Sequence, residues 1–184
     1  MEIIAQILGI LAMACYVLSY QSKKGSTIIF IQIVGSLFYT LQYVFLSIID
    51  SMIYMGLLMN FLGIVRAVVY YKRDFFHADS SVWLFVFIPL YFLCYVALFL
   101  IFDVPPTPQN LILEFLPVIG KILTTIGYKL RSASKIRIFA ALNSVPWFTY
   151  HLTHNSIGGT LGEIINFLSS IIGIFRYDVK KKVK

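Results

Sequence analysis

The stretch Ser81–Phe102, SVWLFVFIPLYFLCYVALFLIF, decides the fold, because no Asp, Glu, Lys, Arg or His interrupts it. A hydrocarbon core about 30 Å thick needs about 20 helical residues to cross it, and this stretch supplies them. Working outward, similar runs lie at Ile3–Tyr20, Ser26–Ile49 and Ser51–Tyr71 before it, and at Gln109–Tyr128, Lys135–Leu152 and Ile157–Tyr177 after it. Seven candidate helices in 184 residues leave only tight loops. The reading is an all-α polytopic membrane bundle forming a single membrane domain over 1–184. Composition agrees: 59% of residues are hydrophobic and 12% charged, where a soluble domain carries charge at roughly a quarter of its positions.

The breaks between runs have their own chemistry. Asp50-Ser51 is expected to cap the third helix, Ser80-Ser81 the fourth and Asn110 the fifth, and the Pro-rich segment Asp103–Pro108 cannot continue a helix. No basic segment precedes the first apolar run and no small-residue cleavage site follows it, so it reads as a retained helix and not a signal peptide. All 15 Lys and Arg except Arg66 and Lys121 fall after the first, third, fifth and seventh helices, on one side of the predicted bundle. Cytoplasmic loops carry the Lys/Arg excess. The expected topology is therefore N-terminus outside and C-terminus cytoplasmic. The net charge of +7 forms no basic stripe with interleaved aromatics, so a nucleic-acid partner is not expected and the bilayer is.

The arrangement of seven spans points to two parallel three-helix units, 1–73 and 109–178, joined by a linker helix at 81–102. Gly56-Leu-Leu-Met-Asn60-Phe-Leu62 matches Gly162-Glu-Ile-Ile-Asn166-Phe-Leu168, with Tyr71 and Tyr177 in step. Small shifts then set Ser36 against Ser144, Tyr39 against Trp147, Tyr43 against His151 and Gly9 against Gly120. Such pairs either line a midplane site across a pseudo-two-fold axis or serve as packing devices, small residues admitting close helices and amides bonding across them.

Leu116-Pro-Val-Ile-Gly120, then Ser156-Ile-Gly-Gly-Thr160 leading into Glu163, and Arg176 near the end resemble the bacterial inner-membrane YgjV family. The layout is similar to that of the SWEET, PQ-loop and PnuC superfamily of three-plus-one-plus-three transporters. In its sugar-transporting members an Asn on the third helix of each unit and aromatics on the second line the substrate pocket. That resemblance implies substrate-binding roles for Asn60, Asn166, Trp147 and Tyr39. The PQ motif of that superfamily is missing: Pro117 is followed by Val118, and Gln6 stands where the repeat would put a proline.

Ionisable residues inside spans cost roughly 3 kcal/mol each on insertion scales and call for a functional hypothesis. Lys121 either faces a polar cavity or snorkels to the interface. Glu114, seven residues earlier, shares its face of the helix, so the two are expected to line one water-filled cavity. Glu163 is read as a possible charge or proton site, or as the far half of a capping box, Thr160-Leu-Gly-Glu163. No metal-ligand spacing, nucleotide motif or nucleophile motif is found, so neither metal, cofactor nor enzymatic activity is expected. The chain reads as a small-molecule transporter, facilitative or proton-coupled, of unknown substrate. A receptor or scaffold without transport, and more remotely a membrane enzyme, are the rivals.

Overall fold

A computed structural model of the chain describes residues 2–47, 54–101, 104–154 and 157–179. Its elements are α1 (Glu2–Tyr20), α2 (Gly25–Ser47), α3 (Tyr54–Tyr71), a short α4 (Arg73–Phe76), α5 (Val82–Ile101), α6 (Pro108–Lys129), α7 (Ala133–Thr153) and α8 (Ile157–Ile174), the last continued by a π-helical turn, Phe175–Val179. Six are both long and apolar enough to cross a membrane. The remaining long helix, α7, has 21 residues. It falls short in hydropathy because its polar side chains point inward: Arg137, Ser144 and His151 are all buried. It packs between α6 and α8 and is comparable to them in length, 21 residues against 22 and 18.

The distribution of side chains is that of a protein solvated by lipid. Ile3, Phe85, Leu100 and Ile112 are exposed, while Gln32, Asn60, Arg66, Lys121 and Arg137 are buried. Hydrocarbon does not repel the exposed aliphatic faces, and the interior is where polar groups find partners. Neighbours run α1–α2–α3 and α6–α7–α8; α5 packs against α3 and α6 only among the more extensive contacts, α8 closes onto α1, and α2 touches α7 across the middle.

The helix ends correct two sequence expectations. Thr107, not Asn110, caps α6: it has extended geometry (ψ 151°) and its side chain accepts from the Asn110 amide at 3.2 Å, with Pro108 in the first turn where its missing N–H costs nothing. Ser81 does not cap its helix with its hydroxyl, which instead accepts from Lys129 Nζ at 2.7 Å. The proposed Asp50-Ser51 cap lies outside the described residues.

The loops rich in Lys and Arg meet at one end of the bundle. Arg137, fully buried, donates to the carbonyls of Tyr20 (2.8 Å) and Ser22 and to Asp178 (2.9 and 3.0 Å). Arg73 donates to Asp79 at 2.7 Å and to the Tyr128 carbonyl at 2.8 Å. This end is therefore sewn together by charge-assisted hydrogen bonds between segments far apart in sequence.

Candidate functional site

Midway through the bundle is a cavity of about 50 Å³, room for little more than one or two waters at roughly 30 Å³ each. Both three-helix groups build it. From α1 come Tyr16 and Tyr20, from α2 Tyr39 and Tyr43, and from α3 Asn60; from α6 comes Lys121, from α7 Asn143, Trp147 and His151, and from α8 Glu163 and Asn166. All four residues implied as substrate-binding, Asn60, Asn166, Trp147 and Tyr39, lie on this one cavity, together with Lys121 and Glu163.

Glu114 does not join them. Its Oε1 sits 3.0 Å from His154 Nε2, and its carboxyl faces the end of α7 and not the cavity that Lys121 lines. Sharing a face of one helix was correct, since Glu114, Pro117 and Lys121 are all buried. Two turns of rise carry the carboxyl past the cavity. The capping-box reading of Glu163 is also overturned. Thr160 lies inside α8, which begins no later than Ile157, and an N-cap residue must have non-helical geometry. Glu163 instead reaches Ser144 and Asn166 inside the bundle.

The polar groups are arranged in two walls. Lys121 Nζ donates to Asn60 Oδ1 at 3.2 Å and lies 5.1 Å from the centre of the Trp147 ring, while the Asn60 amide is fixed by its own helix through Gly56 O at 2.9 Å. Behind it Arg66 donates to Lys121 O and Thr125 Oγ1 and covers the Tyr128 ring at 4.7 Å. From α7 and α8 come Asn143, whose Oδ1 lies against Gly120 of α6, and Glu163 and Asn166; Asn143 Oδ1 and Asn166 Oδ1 are buried acceptors with no protein hydrogen-bond partner. Such groups are costly unless something supplies a donor.

Glycines set how deep the ring-bearing side chains sit. A Cβ on Gly56 would stand 2.7 Å from Tyr43 Cε1, one on Gly159 2.5 Å from His151 Nδ1, and one on Gly120 2.5 Å from Trp147 Nε1. Each ring rests directly on a neighbouring helix backbone that a larger residue would deny it.

A second cavity, about 240 Å³, opens at the end away from the basic loops, with Gln6, Gly9, Gln42, Leu46 and Gly158 in its wall. It shares Tyr39, Tyr43 and His151 with the central cavity, so those three side chains stand in the partition between the two spaces. Toward the basic end the interior is filled: Tyr128 OH donates to Gln32 Oε1, Gln32 Nε2 to Ser19 Oγ at 3.1 Å, and Tyr91 OH pairs with Thr125 Oγ1 at 3.0 Å. The vestibule was not legible in sequence, and of the cavity residues Tyr16 and Tyr20 carried no distinguishing signal. Tyr43 and His151 were visible as a repeat pair. Among the described residues no group of three or more His, Cys, Asp or Glu is placed to hold a metal.

The family model Imp-YgjV, described as bacterial inner membrane protein, matches residues 3–181. No curated protein and no solved structure matches the chain.

Proposed function

From the premise that the chain belongs to the Imp-YgjV family of bacterial inner membrane proteins, we propose that it is a transporter of a small polar molecule, held at mid-membrane between two parallel three-helix units. The carrying observation is the central cavity, to which each half of the chain contributes an aromatic and an Asn: Tyr39 and Asn60, Trp147 and Asn166. The neighbour pattern supports the repeat, because exchanging α1, α2, α3 for α6, α7, α8 turns the α3–α6 contact into the α8–α1 contact and leaves α2–α7 unchanged. The basic end is cytoplasmic on this reading, and the vestibule opens outward. Transport then consists of parting Tyr39, Tyr43 and His151 on one side, and the Gln32–Tyr128 closure on the other, around a fixed site. No bond chemistry is assigned to Lys121 or Glu163, which act through charge and hydrogen bonding.

The test begins from a Cys15→Ser, Cys94→Ser background. A Gln42→Cys variant in cells should react quickly with a membrane-impermeant thiol reagent added outside, and Lys23→Cys and Lys129→Cys variants should not. In liposomes, uptake of at least one compound from labelled pools of amino acids, sugars and nucleosides should be present for the parent and lost in Asn166→Leu of unchanged elution volume. External labelling at Lys23 and Lys129 would sink the orientation. Uptake by the parent no greater than by empty liposomes would sink the transporter.

A further inference from the structure

We infer that the central cavity takes a zwitterionic small molecule of amino-acid type, its anionic group toward Lys121 and its ammonium toward Glu163. The inference deepens the transporter reading and rests on the same cavity. Its ground is the separation of charge already on the walls. The wall from α3 and α6 is a donor wall: Lys121 is 6% exposed and its Nζ donates to Asn60 Oδ1, with the Arg66 guanidinium close behind. A Cβ on Gly63 would lie 3.2 Å from Lys121 Nζ and 3.9 Å from Arg66 Nη2, which places two buried cations on one side. An ammonium has three donors, so Lys121 has donors beyond the one directed at Asn60.

The wall from α7 and α8 is an acceptor wall. Glu163 is joined there by Asn143 Oδ1 and Asn166 Oδ1, neither of which has a protein partner, and Asn166 is only 4% exposed. Among the described residues no ion pair joins Lys121 to Glu163, although both line a cavity only about 50 Å³ in size. Not in direct contact, a Lys and a Glu in a setting of low polarisability each attract the opposite sign strongly when ionised. A simple anion satisfies Lys121 and faces Glu163; a simple cation satisfies Glu163 and faces Lys121 and Arg66. A neutral polyol supplies hydrogen bonds to both walls but answers neither charge. A molecule carrying an ammonium and a carboxylate answers both, donates to the two orphan amide oxygens, and lays its short apolar part on Trp147 and Tyr39. Its volume exceeds that of the cavity, so binding moves Tyr43 and His151 toward the vestibule.

Tryptophan fluorescence reads this directly, since the chain has 2 Trp and Trp83→Phe leaves Trp147 as the sole reporter. Purified Trp83→Phe protein in detergent is titrated with each of the protein amino acids, then with the methyl ester and the N-acetyl derivative of the best. The expected result is saturable quenching by at least one free amino acid, with each singly charged derivative about tenfold weaker. Lys121→Met should abolish the preference for the free acid over its ester, and Glu163→Gln the preference over its N-acetyl form. Both are read as ratios within one folded variant, so loss of stability does not mimic them. Quenching by no amino acid, or equal binding of ester, N-acetyl form and parent, would overturn the ligand class. Thiol access at Gln42 is independent of that outcome, so failure of the ligand class and failure of the transporter reading remain distinguishable.

Discussion

The two ends of the bundle are closed by different physics. At the basic end, Arg137 binds two backbone carbonyls and Asp178, Arg73 binds Asp79 and a carbonyl of α6, and a Cβ on Gly173 would fall 2.6 Å from the carbonyl oxygen of Tyr20. At the opposite end, the polar tie between α6 and α7 is His154 to Glu114, and three side chains stand in the partition over the central cavity with open space beyond. A closure made of buried charge and backbone contact opens only as a unit, whereas one made of rings turns on single torsions. The lesson is that the central cavity lies between a thickly bonded end and a thinly partitioned one.

The largest effect should come from the thick side. Arg137→Leu strands Asp178 and two carbonyls, and removing one partner of a buried ion pair costs about 3–5 kcal/mol. Unfolding in mixed micelles by denaturant should show that loss, with little folded protein recovered; a cost below about 1 kcal/mol would mean that the basic end is not locked. Gly173→Ala follows. The added methyl meets backbone, which cannot rotate away, and overpacking of this kind costs about 1–3 kcal/mol. At the thin side, Glu114→Gln keeps an acceptor for His154 and should cost about 1 kcal/mol or less by the same assay. A cost matching that of Arg137→Leu would show both ends to be ionically locked and remove the contrast.

The existence and order of the membrane helices were legible because length and apolarity alone specify a span. The basic residues were legible as a set at one end for a similar reason, and the structure adds that Arg73 and Arg137 are buried ties as much as topological markers. The cavity was half legible. Asn60, Asn166, Tyr39 and Trp147 were found by aligning one half of the chain with the other, which locates depth along a helix but not rotation about it. In a soluble helix the polar face reveals rotation; in lipid both the core and the outer face are apolar, so periodicity loses that information. Glu114 was placed with Lys121 for a different reason: the shared face holds, but two turns of rise set its carboxyl at His154 of α7. The capping motif at Thr160-Glu163 misled because its residue types fit a cap wherever they stand, although the run beginning at Ile157 already put Thr160 inside the helix. In the bundle that segment is helical, and Gly159 is needed there as a seat for His151.

The smallest change in stability should be the most informative about the gate. A Cβ at Gly56 would lie 2.7 Å from Cε1 and 3.0 Å from Cζ of Tyr43, both in a ring that borders the vestibule. In contrast to Gly173, the obstructing atoms end a rotatable side chain. Gly56→Ala gains about 0.5–1 kcal/mol of helix propensity and spends a similar amount on turning the ring, so its unfolding free energy should stay within about 0.5 kcal/mol of the parent. The displaced ring, however, no longer partitions the two cavities. In an Asn166→Cys variant lacking the native cysteines, the rate of modification by an impermeant thiol reagent added outside should therefore rise severalfold when Gly56→Ala is introduced. The same alanine at Gly173 should leave that rate unchanged in the protein that remains folded. If Gly56→Ala destabilises as much as Gly173→Ala and leaves access to Asn166→Cys unaltered, Tyr43 is a fixed strut rather than a gate, and the two ends differ in chemistry but not in mobility.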